Sequence, residues 1–374
     1  MKKNIGTFMG TNKTHANPHF VLCEIWNVKR ILSLFVCIFF GSILFAQNEE
    51  PGLPDPPPAV TIDGLLYKLY EDSHTAMIAN VNSWEGELEI PEQVMYDKQT
   101  YTVNKIEWLA FDLCETLTKV KIPKTVTDIQ HYAGHDACKN PFRGCTSLET
   151  IEVDEENPSM CSIDGVLFSK DKSKLYCYPA GAKAKSYNVP KEVTWIGGEA
   201  FARNLYLCTV EMPNSVTFMG YGVFSGCRNL ESVRLSENLK YLDAYTFDNC
   251  ESLHVLDIPK NVSGFAESVF RWTHLDALVV RGTFPATLRS DTFYFVDDSM
   301  IIYAQSSEVA KFKKVFSGKV LSLEDYEDGI KTGIIAPRSI ASLINHSLFD
   351  LSGRCLSAPP TKGLYIKNGK IVVK

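Results

Sequence analysis

Residues 201–223 read FARNLYLCTVEMPNSVTFMGYGV, and Phe224 then opens the same phrase again. Phe247 and Phe270 open it twice more, each 23 residues after the last. Phe111 and Phe142 stand at the same place, with extra residues between them and after them. Six residues beyond each Phe, a Leu begins the pattern L-x-x-[LIV]-x-[ILMV]: Leu117, Leu148, Leu207, Leu230 and Leu253, with the last repeat one residue short at Leu275. Pro closes the pattern at 123, 213 and 259. A second apolar pair follows, as Val126/Ile129, Val216/Met219, Leu239/Leu242 and Val262/Phe265.

A fixed period of this length signals stacked coils. Twenty-three residues cannot close a core alone, so each coil buries its Leu, Val/Ile and Phe columns against the same columns of its neighbours. The expected fold is a β-rich α/β solenoid. Each coil supplies one short parallel strand, a second short strand or turn, and a tight helical turn carrying Phe, with neighbouring coils about 4.8 Å apart. The core columns are then Phe111, Phe142, Phe201, Phe224, Phe247 and Phe270, together with Cys114, Cys145, Cys227 and Cys250 three residues after four of them. The period makes these cysteines structural: a small, weakly polar side chain there points inward and bonds loop backbone, and Asn204 at the equivalent site fits the same role.

The flanks divide the rest of the chain. An apolar run, Ile31 to Phe45, follows Lys29-Arg30 and ends in Ala46-Gln47. Basic, apolar and small residues in that order describe a secretory signal, and the run is too short for a membrane span. Residues 1–46 are read as a signal peptide, with Val28 an alternative start. Residues 47–58 are a Pro-rich linker, and 59–104 a β-rich N-terminal cap. The solenoid covers 105–325, broken near Gln130–Asn140 and by an inserted hairpin at 154–187. In that hairpin Val166-Leu167-Phe168 and Leu175-Tyr176-Cys177-Tyr178 flank a charged turn and project from the coils. Tyr294 to Leu323 loses the repeat and caps the last coil. Residues 326–346 form a linker and 347–374 a small β tail.

The chain has 374 residues, with 38 basic against 44 acidic. Five of the basic and one of the acidic residues precede Gln47, leaving 33 against 43, a net charge of −10. That balance argues against nucleic acid and anionic lipid as partners. His131, His135 and Cys138 have metal-ligating side chains but lack the Glu of a zincin, and Gly134 weakens any helix there, so an ordinary loop is expected. The chain has no G-x-S-x-G, no phosphate-binding loop and no C-x-x-C. Neither catalysis, metal nor cofactor is expected.

The outward position of each strand reads Lys121, Glu152, Glu211, Arg234, Asp257 and Val279. Alternating signs describe a solvated ladder; an acid–base pair of Glu152 and Glu211 is the catalytic alternative. Candidate binding residues are Lys121, Glu152, Glu211, Arg234 and Asp257, with Tyr176 and Tyr178 of the insert. Trp108, Tyr132, Trp195 and Tyr221 are further aromatic candidates.

Ile106, Ala110, Phe111, Cys114, Leu117, Val120, Ile122, Pro123, Val126 and Ile129 together resemble the BspA-like (bacterial surface protein) leucine-rich repeat, over residues 105–281. The departures are Asn204 and Thr273 at the Cys position, and Ser236 and Arg281 at the Pro position. The tail, with Phe349-Asp350-Leu351-Ser352-Gly353-Arg354 and Asn368-Gly369-Lys370-Ile371-Val372-Val373, resembles the C-terminal sorting domain of type IX secretion in Bacteroidetes. These resemblances imply a secreted or cell-surface protein of a Gram-negative bacterium that adheres to host or microbial surface proteins without catalysis; a monomer is expected. Glycan binding, weak glycan hydrolysis and a purely structural envelope role are the competing readings. N-terminal sequencing of the exported chain is expected to begin at Gln47; a mature chain that retains Lys29 would contradict the signal reading.

Overall fold

A computed structural model describes residues 59–81, 83–129, 140–285, 288 and 290–329, and by backbone alone 330–331 and the strands Leu348–Phe349, Cys355–Leu356, Leu364–Lys367 and Lys370–Val373. The signal, the Pro-rich linker, His131, Tyr132, His135 and Cys138 lie outside the described residues.

The repeat phrase becomes two ladders of short parallel strands. The first runs Gly86–Glu89, Leu117–Ile122, Thr150–Val153; then Ser186–Asn188, Thr209–Glu211, Ser232–Arg234; then Val255–Ile258, Ala277–Val280, Ile301–Ala304 and Lys319–Ser322. Its register joins equivalent positions: Val210 lies beside Tyr187 and Val233, and Leu278 beside Leu256 and Ile302. The second ladder runs Thr75–Ile78, Gln99–Ile106, Asp128–Ile129; then Lys174–Cys177, Trp195–Ile196, Phe218–Met219; then Tyr241–Leu242 and Gly264–Phe265. Alternation in an extended strand puts Val120 and Ile122 inside and leaves Lys121 between them outside; Leu117, three residues before Val120, is also inside, with a register shift between them.

The side of the coil that carries Phe is not helical. It is a tight double turn with left-handed backbone two residues before and after the Phe, as at Glu199 and Arg203, Tyr245 and Asn249, and Ser268 and Trp272. Left-handed backbone costs roughly 1–2 kcal/mol for a residue with a Cβ. The conformation aims alternate N–H groups at the next coil, so that Glu199, Phe201 and Arg203 donate to the carbonyls of Tyr221, Val223 and Ser225, at 2.7–3.0 Å. Phe247 and Asn249 donate in the same way to Val269 and Arg271. The expected helical turn gives way here because inter-coil bonds satisfy the backbone that a helix would satisfy internally. Among the described residues, helix is confined to a 3-10 turn at Ser290–Phe293 and to Val309–Phe312 and Leu323–Lys331.

Inside the turns the Phe rings form a continuous stack. Phe201, Phe224 and Phe247 are fully buried, with centroids 5.2 and 5.6 Å apart, and the column continues through Phe270 and Phe293. Offset stacking adds about 0.5–1.5 kcal/mol per pair to the burial itself.

Three expectations change. The hairpin does not project: Val166–Ser169 is buried along its length, and Lys174–Cys177 enters the second ladder parallel to Trp195–Ile196. Val166, Phe168 and Leu175 pack into one hydrophobic cluster and Leu167 and Cys177 into another, so the insert is held because both its faces are apolar. The segment after Tyr294 does not merely cap: Ile301–Ala304 and Lys319–Ser322 extend the first ladder, spaced irregularly and so invisible to a fixed period. Residues 326–331, read as linker, belong to the helix Leu323–Lys331, whose start is fixed by reciprocal bonds between Ser322 and Asp325. In the tail, the four short strands pair antiparallel in one sheet.

Phe224→Ala opens a cavity between two rings that cannot close on each other, and is expected to cost about 3–5 kcal/mol. Urea denaturation checks this, and a midpoint unchanged from wild type would contradict the stacked column.

Candidate functional site

The outward residues of the first ladder form a charged face. Lys121 lies in register between Glu89 and Glu152. Its ammonium is 3.6 Å from Glu89, while Glu152 is held at 2.6 Å by Lys119. Glu211 and Arg234 are register partners 3.8 Å apart. Asp257 is gripped by Arg281, through Nε at 2.9 Å and Nη2 at 2.6 Å. Arg281 stands where the repeat has Pro, so that departure supplies the last ion pair of the row.

The face then ends. Val279 is fully buried, although it holds the outward position, because Tyr303 and Tyr326 pack against it and the helix Leu323–Lys331 covers the ladder from Ala277 onward. Glu152 and Glu211 are not register partners. They lie in separate strand groups across the insert, each with its own cation. At the N-terminal end the strand ends and following turns enclose an open groove of about 960 Å³, lined by Glu89, Glu92, Lys121, Glu152, Asp154 and Glu155 among others.

Tyr178, read as a surface contact, is 4 % exposed. It takes the place of Phe in its coil and stacks on Phe201 at 5.2 Å, with Tyr187 edge-on at 4.8 Å. Tyr176, two residues earlier on the outward side of the strand, is half-buried and meets Trp195 edge-on at 6.0 Å. Tyr221 is exposed and Trp108 half-buried.

The cysteines tie coils together. The thiols of Cys114, Cys145, Cys227 and Cys250 donate to the carbonyls of Val81, Phe111, Phe201 and Phe224, at 3.0–3.2 Å. Burial pushes the Cys227 thiol up to about 12, which removes thiolate reactivity at neutral pH. Asn204 does the same work with more bonds. Its amide nitrogen donates to Pro179 and Ala182, and its oxygen accepts from the N–H groups of Tyr206 and Leu207. Thr273 instead turns back to Phe270 of its own coil. Among the described residues, no cluster of three or more His, Cys, Asp or Glu is arranged to hold a metal ion.

One half-buried ionic network carries no signal in the sequence. Arg143 grips Asp112 through Nε and Nη2, at 2.8 and 2.6 Å, and reaches Glu199 through Nη1 at 3.0 Å. Glu199 is 6 % exposed, and its second oxygen has no hydrogen-bond partner among the described residues. Burial raises its carboxyl above the ordinary range, against the pull of Arg143. No sequence signal marks Glu199, since its burial comes from the neighbouring turns. A second missed feature, Trp195, Phe218 and Tyr241, was accessible: all three hold one position of the repeat.

Six copies of the BspA type leucine-rich repeat region match residues 104–175 and 171–296. The chain belongs to this family. Solved structures with similarity include a leucine-rich cell surface protein of Faecalibacterium prausnitzii A2-165 (19 % identity, 71 % of this chain and 99 % of that one, TM-score 0.42). The pneumococcal vaccine antigen PcpA shares 16 % identity over 72 % of this chain and 99 % of its own, at TM-score 0.43. A leucine-rich repeat protein of Bacteroides ovatus shares 23 % over 70 % and 67 %, at TM-score 0.40. No curated protein matches. No helix among the described residues is long and apolar enough to cross a membrane.

The raised carboxyl of Glu199 sets a pH dependence. Between the unfolded and the folded values the native chain holds a proton that the unfolded chain releases, so stability rises as pH falls toward the ordinary Glu range and is lost as pH rises through the folded value. Glu199→Gln is expected to flatten this slope and to leave neutral-pH stability equal or higher. Urea midpoints across pH 4.5–7.5 test it; identical slopes in the two proteins would count against the buried carboxyl.

Proposed function

We propose that this protein is a non-catalytic binding module, exported to the cell surface or beyond, that engages a protein ligand along the charged face of the first ladder. The observation that carries this reading is the set of surface ion pairs along the first ladder, from Glu89 to Glu152 and, beyond the uncharged Asn188, from Glu211 to Arg281. Exposed pairs contribute only about 0–1 kcal/mol each to stability. They add little to a fold already held by its Phe column, yet a partner of complementary pattern can exchange them for its own charges. Lys121, Glu152, Glu211, Arg234 and Asp257 are the contact residues, and the open groove beside Lys121 is the natural place for a projecting ligand segment. Family membership supports a binding role. Export rests on the apolar run at 31–45, and surface retention on the sorting-like pattern of 347–374.

The test uses the full mature chain against a panel of immobilised extracellular-matrix and bacterial surface proteins. Binding to at least one member is expected to weaken with salt and to fall roughly tenfold in Lys121→Glu/Arg234→Glu, the size expected when interfacial charges are reversed. Binding that ignores both salt and these substitutions, or no binding across the panel, would count against the charged face.

A further inference from the structure

The second ladder carries an outward row of a different character. Trp195, Phe218 and Tyr241 recur every 23 residues at one repeat position, and Gly264 takes the next turn of the period. Trp195 is in register with Lys174 on one side and Phe218 on the other. The indole and the Phe218 ring are parallel to within 7°, with centroids 5.8 Å apart. That is closer than two rings lying edge to edge in one plane can come, so they overlap like roof tiles. Tyr176 abuts Trp195 from its other side, and the Lys174 ammonium sits 5.8 Å from the indole centroid. Phe218 and Tyr241 are 39 % and 42 % exposed. Nothing in the packing of the coils requires large rings here, because the core is filled from the inward positions Ile196, Met219 and Leu242.

A polar row runs alongside, one residue earlier in each coil: Thr194, Thr217, Lys240 and Ser263, all exposed. The hydroxyls of Thr194, Thr217 and Ser263 donate back to the carbonyl of the preceding coil, leaving their lone pairs outward. In a chain with more acidic than basic residues, these two rows from Lys174 to Ser263 contain Lys174 and Lys240 and no carboxylate of their own; Asp171, close enough to Lys174 to feel its charge, is taken up by the hydroxyls of Ser169 and Ser173.

We propose that this double row is a binding rail for an extended acidic polysaccharide, whose sugar rings lie over Trp195, Phe218 and Tyr241 and whose carboxylates meet Lys174 and Lys240. Sugar rings present flat C–H faces that pack on aromatic rings, and their hydroxyls suit the adjacent Thr and Ser row. The coil spacing of about 4.8 Å is close to the advance of one sugar in an extended chain, so successive sugars meet equivalent surroundings. Two cations in rows that hold no carboxylate of their own select a charged over a neutral polymer. A nucleic acid would require a broader basic face than two lysines provide. The rail is separate from the charged face of the first ladder, and the two stand or fall independently.

Affinity electrophoresis of the full chain decides it, through gels carrying polygalacturonate, its fully methyl-esterified form, or no polymer. Retardation by polygalacturonate alone is expected. Phe218→Ala/Tyr241→Ala is expected to weaken it roughly tenfold, as the loss of two ring contacts implies, and Phe218→Trp to preserve it. Lys174→Gln/Lys240→Gln is expected to weaken it to a similar extent, and the ladder-face variant Lys121→Glu/Arg234→Glu to leave it intact. All these side chains lie on the surface, so thermal midpoints near wild type are expected and distinguish lost binding from lost folding. No retardation by polygalacturonate, equal retardation by both polymers, or retardation unchanged in Phe218→Ala/Tyr241→Ala would overturn the proposal.

Discussion

Each coil leaves backbone groups that it cannot satisfy alone, and the structure follows from how neighbours satisfy them. In the Phe-bearing turns, the left-handed residues on both sides of the ring point N–H groups along the stack rather than into a local helix. The thiol or amide three residues after the ring bonds a carbonyl of the coil before it. An unpaired buried donor or acceptor costs about 1–3 kcal/mol, so a coil without neighbours has no stable form. Burial of the Phe column and bonding of the turns are therefore one event, and strand register follows from it.

Register in turn creates the surfaces. Because every coil repeats the same inside–outside alternation, each outward position becomes a straight row, and a row has a chemistry only if the sequence keeps one. The first ladder keeps charge, interrupted by Asn188, until Asp257 and its partner Arg281, beyond which a C-terminal helix closes it. The second keeps rings at Trp195, Phe218 and Tyr241 until Gly264 interrupts them. One fold thus presents two unlike faces, since the two ladders use different positions of the same phrase.

The repeat columns were legible because they depend only on period: Phe224, Leu230 and Val233 are inside for the same reason that Phe247, Leu253 and Leu256 are. The misreadings came from contacts that are not periodic. Val279 holds an exposed position by count, but a helix 44 residues further on lies over it. Tyr178 looked like an insert aromatic because its coil lacks the preceding Ala-Phe, while in space it continues the ring stack. Glu199 is placed in the interior by Arg143 and by turns on either side, and its own repeat position predicts nothing about burial. The hairpin was legible as a hairpin, but not as a piece of the core, because both its faces are apolar.

The inter-coil bonding of the turns also sets what lengths of insertion this architecture can absorb. A gain or loss of 23 residues returns every column to itself, so a duplicated segment of gene extends the stack without new interactions having to be invented. Any other length shifts Phe against Phe, and the surplus must leave the ladder or find its own pairing. The segment between Val153 and Tyr187 takes the second course: its hairpin hands one strand to the second ladder and restores the count before Phe201. Growth of such a chain over generations is therefore quantised, and its irregular stretches mark where a change of the wrong size was accommodated.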